Sequence, residues 1–452
     1  MASQPKTTKA LPELNPYAAG IDVGATKMYV AVPQDSDAQP VRSYLTFTQD
    51  LEELASWLHS CGVKTVAMES TGVYWIPLFQ ILEARGFTVC LVNARDWRNA
   101  PGRKTDVCDC QWLQYLHACG LLRASFRPKQ EVCAARSLLR HREGLITAAG
   151  SNVQLMQKAL TQMNLQIHHV ISDITGKTGL AILDAILAGE RNTEVLSLLR
   201  DPRIKTSAEV IAKSLVGHSR PEHLFTLKQA LCSYRHYQTL LEECDQEIER
   251  VLSQFDAASP PDAPSEPPST KPKAERGNTL RFQETSVRDE MFRLLGSDLT
   301  LVPGFGTQTL AILFSEVGRD MSAFPSDKRF CSWLGLCPGN RISGDKVLSS
   351  KTRHVPSRAA HAFRMAAQSL WHSRSALGDY YRRLCARLGR PAGITATAHK
   401  LARIFYPLLR TKQSYNESVF AQEQERANQS RERRLAKEAT LLGFRLVPAG
   451  AE

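Results

Sequence analysis

Four carboxylates, Asp22, Glu69, Asp106 and Asp109, stand where apolar runs end or a helical pattern begins. Asp22 lies in the apolar run that starts at Ala18, Glu69 follows the run 64–68, and Asp106 and Asp109 open the helical pattern 106–116. A spacing of three puts Asp106 and Asp109 on one helix face, close to an N-terminus whose partial positive charge favours acids. In α/β sheets the carboxyl ends of strands converge on one edge, where ligands bind. Acids gathered there repel one another unless a cation neutralises them. Hard oxygen donors with room for water and a phosphate suit Mg²⁺ or Mn²⁺, and two such ions stabilise the attacking and leaving oxygens of a phosphodiester. Taken singly, each acid has a plainer role: Asp22 as a turn residue, Glu69 as a surface acid, Asp106 as a helix cap and Asp109 as its first-turn acid. Their joint placement is what points to metal chemistry.

A second set of groups lies far downstream. Ser343 is surrounded in sequence by Arg341, Lys346, Lys351, Arg353, His354 and Arg358. A serine hydroxyl is a weak nucleophile, and cations beside a phosphate stabilise the charge that develops when it attacks. Gly344 permits close approach of backbone to substrate. From its own surroundings Ser343 is a loop serine, with Ser349 and Ser350 as neighbours of equal chemistry. Upstream, Pro303-Gly304-Phe305-Gly306 precedes a helical pattern from Gln308. A glycine turn before a helix start exposes N–H groups suited to a DNA phosphate, as in a helix-hairpin-helix; a tight interhelical turn without ligand fits equally. Arg136, Arg140 and Arg142, and the later set Arg382, Arg383, Arg387 and Arg390, read as nucleic-acid backbone contacts or as solvated helix faces. Cys108, Cys110, His117 and Cys119 have a superficial zinc spacing, but a helix spreads them around its cylinder.

The elements that must position these groups follow from periodicity. Strands are expected at 18–23, 27–32, 64–68 and 87–92, alternating with helical spacing at 51–58, 74–84 and 106–116, the pattern of an α/β domain over 17–130. Long helical patterns at 138–165 and 223–252 predict a coiled-coil-like arm within 131–254, interrupted by short helices over 171–213. The run 255–280, rich in proline, serine and charge, predicts a flexible linker. A mainly helical domain is expected over 287–415 and a charged tail over 416–452. The chain thus reads as multidomain, α/β followed by α, which its 452 residues permit. A net charge of +12 favours a polyanionic partner, nucleic acid first. Eleven scattered cysteines do not form a paired disulfide framework, and no apolar run is long enough to span a bilayer. The polar first fifteen residues lack the apolar core of a signal peptide, so the chain is expected in the cytoplasm.

Several motifs occur in one order: Gly20-Ile21-Asp22-Val23-Gly24, Met68-Glu69-Ser70-Thr71-Gly72-Val73-Tyr74-Trp75, Lys104-Thr105-Asp106-Val107-Cys108-Asp109, Leu301-Val302-Pro303-Gly304-Phe305-Gly306, Phe324-Pro325-Ser326, Trp333-Leu334-Gly335-Leu336-Cys337-Pro338 and Ser343-Gly344-Asp345-Lys346. In this the chain resembles the DEDD transposases of insertion sequences, which include Piv-type invertases and bridge-RNA-guided serine recombinases. The resemblance implies a RuvC/RNase H-like N-terminal domain whose acids, carried onto Asp22, Glu69, Asp106 and Asp109, bind Mg²⁺. It implies a C-terminal transposase domain with a helix-hairpin-helix-like element and a nucleophilic serine at Ser343. Gly304, Gly306, Arg341, Lys346, Lys351, Arg353, Arg136 and Arg140 are the expected nucleic-acid contacts. It further implies DNA partners at the element ends and the target, a structured guide RNA encoded by the element, and a dimer assembling to a tetramer on DNA in a prokaryotic cell. Asp345 departs from the pattern, where a second glycine is usual, as does Cys110, where alanine is frequent. The alternative is a RuvC-like nuclease or Holliday-junction resolvase in which water attacks. A rival likeness of Gly20–Lys27 to the first phosphate loop of sugar kinases and actin-like ATPases lacks that fold's second Asp-Gly loop and Gly-rich adenosine site.

Overall fold

The computed structural model describes residues 12–93, 106–258 and 277–445, and the chain divides into two compact units, Met1–Arg127 and Pro128–Glu452. In the first unit, strands β1 (Ala18–Val23), β2 (Lys27–Ala31), β3 (Val41–Leu45), β4 (Thr65–Glu69) and β5 (Thr88–Val92) form one mixed sheet in the order β3-β2-β1-β4-β5. β1 pairs antiparallel with β2 and parallel with β4, and β4 pairs parallel with β5. The carboxyl ends of β1, β4 and β5 therefore share one edge. The sequence pattern gives no strand at β3, because Val41-Arg42-Ser43-Tyr44-Leu45 does not alternate cleanly and only Tyr44 is buried.

Both faces of the sheet are covered, which is why Ala18-Ala19-Gly20-Ile21 is buried without a break. On one face Ile21, Val30, Val66 and Met68 pack beneath helices α1 (Thr48–Ser60) and α2 (Trp75–Ala84) through Leu54, Leu58, Leu78 and Leu82. On the other, Ala67 and Val92 meet Leu113 of α3 (Asp106–Ala118). That contact is made at backbone distance. A Cβ on Gly20 would stand 2.2 Å from the Gln114 nitrogen and 2.4 Å from the Cys110 carbonyl oxygen, so only glycine allows α3 to lie this close.

The second unit is built on two long helices, α4 (Gln130–Gln162) and α9 (Pro221–Ser253). Met156 and Leu160 near the end of α4 meet Leu227 and Leu231 near the start of α9, whereas Arg142 meets Asp245, so the pair is antiparallel. The connecting helices α5 (Ile167–Val170), α6 (Lys177–Leu187), α7 (Thr193–Leu198) and α8 (Ala208–Ser214) pack Ile182, Ile186, Leu196 and Ile211 into the same core. This segment, whose sequence suggests no role, closes the far end of the helix pair.

Most of the expected linker, residues 259–276, lies outside the described residues, but its flanks are fastened. Buried Arg142 pairs with buried Asp245 and donates to the Asn278 carbonyl at 3.0 Å, while Asp245 accepts the Arg281 N–H at 3.1 Å. Glu249 accepts the N–H groups of Gln283, Glu284 and Thr285 at 2.8–3.0 Å, which together hold its carboxyl below the usual range against the opposing effect of burial. The remainder comprises α10 (Val287–Leu295), α11 (Thr307–Val317), α12 (Asp327–Trp333), a hairpin of β6 (Arg341–Ser343) and β7 (Lys346–Ser349), then α13 (Arg358–Ser369), α14 (Ala376–Leu388), α15 (Arg390–Thr411) and α16 (Ala421–Leu441). Phe305, Phe330, Phe363 and Phe405 form an aromatic centre there, with ring centroids 5.6–6.2 Å apart. No described helix is long and apolar enough to cross a membrane.

Removing one member of a buried, hydrogen-bonded ion pair strands the other charge. Asp245→Ala should therefore lower the unfolding free energy of the second unit by about 3–5 kcal/mol in urea denaturation, whereas the double change Arg142→Met with Asp245→Leu should recover most of that loss.

Candidate functional site

Register and helix direction fix where the four acids lie. Gly20 of β1 is paired with Ala67 of β4, and Ile21 with Met68, so one step further along Asp22 and Glu69 fall side by side at the strand ends. Residues in register share a face, and Gly20 and Ala67 face α3; by alternation so do Asp22 and Glu69. Helix α3 runs back along this face against the strand direction. Its Cys110 carbonyl lies over Gly20, Gln114 donates to the Ala18 carbonyl at 3.3 Å, and His117 meets Thr65 at 2.8 Å. Its first turn, carrying Asp106 and Asp109, therefore sits at the edge where Asp22 and Glu69 end.

Cys110 lies near two of these acids. Burial, then the Asp22 carboxylate and, more weakly, Asp109, push its thiol up to about 12. Glu69 is buried and accepts a hydrogen bond from the Thr71 hydroxyl. Asp109 is half-buried and Asp106 is exposed. Among the described residues, no three acid, thiol or imidazole groups close on one another tightly enough to make a metal cage. The zinc spacing of Cys108, Cys110, His117 and Cys119 likewise forms no cluster: Cys110 and His117 are buried while Cys108 is exposed. Lys104 and Thr105 lie outside the described residues.

In the second unit Ser343 ends β6 at the tip of an exposed hairpin. It is paired directly with Lys346 across the two-residue turn Gly344-Asp345, whose φ angles are +51° and +60°. Two successive positive φ values make a type I′ turn, the geometry that matches strand twist, and aspartate is among the few side chains that tolerate it. The turn thus accommodates Asp345 where the family pattern has a second glycine. Lys346 places a cation across from the hydroxyl, and Arg341 and Lys351 are exposed on the same hairpin and its base. Arg353 donates to the Ser332 carbonyl at 3.2 Å. The hairpin was legible in principle: Gly-Asp between Ile342-Ser343 and Lys346-Val347 is a hairpin signal that the helical character of the surrounding segment obscures.

The remaining expected contacts behave differently. Arg136 donates to the carbonyls of Ser315 and Glu316 at 3.1 and 2.8 Å, and Arg140 grips the Glu316 carboxylate with two bonds of 2.9 and 2.8 Å. These arginines tie α4 to the end of α11. Arg382 is similarly engaged with the carbonyls of Trp371 and Ser373. Gly304, at φ +96°, would place a Cβ 2.7 Å from the Ala366 carbonyl, so it serves close packing against α13. Gly306 faces open space and begins α11 with no side-chain cap. Gln308 and Thr309 of that first turn line a cleft of about 870 Å³ together with Arg140, Arg358, His361 and Arg364.

A family model described as Transposase, for DEDD transposases of the IS110 kind, matches residues 19–165. A model described as Transposase IS116/IS110/IS902 family matches residues 297–382. The first span holds Asp22, Glu69, Asp106 and Asp109, and the second holds Gly304, Gly306 and Ser343. No curated protein matches the chain.

The hairpin geometry makes a direct demand on position 345. A β-branched residue held at positive φ costs about 1–2 kcal/mol. Asp345→Val should speed amide hydrogen exchange across Arg341–Ser349 by roughly tenfold, and Asp345→Gly should leave it unchanged.

Proposed function

The chain belongs to the DEDD transposases of insertion sequences, and on that footing we propose that it cuts and rejoins DNA with Asp22, Glu69, Asp106 and Asp109 as ligands of Mg²⁺ or Mn²⁺ and Ser343 as the nucleophile. Membership by itself makes DNA the partner and recombination the activity. The observation that carries the finer reading is the convergence of carboxylates from β1, β4 and the first turn of α3 on a single sheet edge. An all-oxygen donor set of this kind fits a hard divalent cation. We read the first unit as RuvC/RNase H-like, on the strength of its five-stranded mixed sheet with helices on both faces.

When bound, the metal supplies charge neutralisation for the oxygens of the phosphodiester. Thr71 orients the Glu69 carboxylate, and the positive end of α3 eases the crowding of Asp106 and Asp109 by about 0.3–1 kcal/mol each. At Ser343 the Oγ–P bond forms as the P–O bond to the departing nucleoside oxygen breaks; the hydroxyl proton is lost and the departing oxygen gains one. Lys346, facing Ser343 across the turn, steadies the phosphate charge. Acids supplied by a second copy of the chain complete the site, in a dimer that assembles to a tetramer on DNA. A structured RNA from the element guides the choice of donor and target, and the net charge of +12 suits two polyanionic partners. The cleft beside Gln308, Arg358 and Arg364 takes nucleic-acid backbone.

Incubation of the chain, purified with the RNA it holds, with element-end DNA should leave protein covalently attached to the cleaved strand, with the adduct mapping to Ser343 by peptide mass spectrometry. Free ends with no adduct would instead mean attack by water. Asp106→Ala should reduce cleavage by roughly 10²–10³-fold or more without changing the thermal melt; full activity in that variant would remove the metal site. Purification from the host and sequencing of tightly bound RNA tests guidance, and recovery of no element-derived RNA counts against it.

A further inference from the structure

The β6–β7 hairpin has two chemically opposed faces. Paired residues of an antiparallel ladder point to the same side, so Ser343 and Lys346 share one face and Ile342 and Val347 share the other. The register steps by one residue on β6 and by two on β7 between the pairs Arg341↔Ser349 and Ile342↔Val347, which makes Leu348 the extra residue of a β-bulge. Ile342, Val347 and Leu348 are 61, 58 and 64 % exposed. Three large apolar side chains exposed on a two-stranded ribbon are costly in water. Around them the charge is mainly cationic: Arg341, Lys346 and Lys351 are exposed and make no ion pair among the described residues, against one exposed acid, Asp345, at the tip. Apolar side chains framed by unpaired cations are complementary to DNA, whose bases offer apolar surface behind a row of phosphates.

We infer that the apolar face of this hairpin, which carries Ile342 and Val347 with Leu348 at the adjoining bulge, inserts against the bases of duplex DNA and unstacks the base step next to the attacked phosphate, while the opposite face presents Ser343 and Lys346 to that phosphate. The inference rests on the reading of Ser343 as nucleophile and adds a positioning role for residues that touch bases rather than reacting atoms. The two faces explain each other. A ribbon lodged between the bases and the backbone of one strand meets apolar surface on one side and phosphate on the other. The type I′ turn keeps the tip to two residues, narrow enough for such a lodgement.

The test uses the full-length chain, purified with the RNA it holds, and element-end duplexes carrying 2-aminopurine at the step beside the cleavage position. With Ser343→Ala, which binds without reacting, fluorescence should rise several-fold as the probe unstacks. Adding Ile342→Ser, Val347→Ser and Leu348→Ser to that variant should abolish the rise. With Ser343 intact, the triple serine variant should form the covalent adduct at least about tenfold more slowly on paired duplex, because the step must then unstack without the wedge. A mismatch placed at that step should restore its rate, a rescue that a merely structural role for the three side chains would not give. An undiminished 2-aminopurine signal and adduct rate in the triple variant would overturn the inference. So would loss of self-association in that variant with the signal preserved, since the patch would then be a contact between copies. Absence of any adduct in the unmodified chain, with unstacking still seen, would defeat the serine reading alone and leave the wedge standing.

Discussion

The distance between helix α3 and strand β1 is set by a hydrogen atom. At Gly20 the helix backbone occupies the space a side chain would need, and this contact determines how far α3 can be drawn down onto the sheet. Leu113 against Ala67 and Val92 supplies the attraction; Gln114 and His117 fix the pitch by bonding to Ala18 and Thr65. The first turn of the helix is carried to the strand ends as a consequence. Asp106 and Asp109 then meet the edge that holds Asp22 and Glu69, although one pair lies at least 37 residues from the other in sequence. A bulkier residue at position 20 would lift the helix and separate its acids from those of the sheet, with no change to any acid.

The placement of Asp22 and Glu69 was readable because buried parallel strands leave continuous apolar runs whose ends are marked by the first polar side chain. The strand of Ala18–Val23 forms over the span its pattern predicts, and the helical pattern 106–116 lies within α3. Two elements escaped for a shared reason. The edge strand at Val41–Leu45 and the hairpin around Ser343 bury little, so neither carries the periodic signal that burial imposes. The role of Thr71 also could not be read, since a threonine two residues beyond an acid has many possible partners until the turn brings its hydroxyl to Glu69.

The arginines illustrate a different limit. Arg136 and Arg140 are one helical turn apart, which says that they share a face but not what the face meets. Their partner, Glu316, is more than 170 residues away, and a basic pair beside a distant carboxylate is indistinguishable in sequence from a basic pair beside a phosphate. Gly304 and Gly306 divide along similar lines. One glycine allows backbone to pass close to Ala366 and the other starts a helix whose first N–H groups have no side-chain cap, a distinction that only the packing of α13 reveals.

The fastening on either side of residues 259–276 has a wider consequence for the polypeptide as an object. Arg293 holds the carbonyls of Leu252 and Phe255, and its own carbonyl accepts the Ala258 N–H at 2.8 Å, while Asp245 and Glu249 seize the chain on its return. Each bank is secured to the same scaffold by bonds made within the described residues. A change in length between the two banks would leave each of these bonds as it is, so the helices on either side stay held to each other whatever number of residues the gene sets between them.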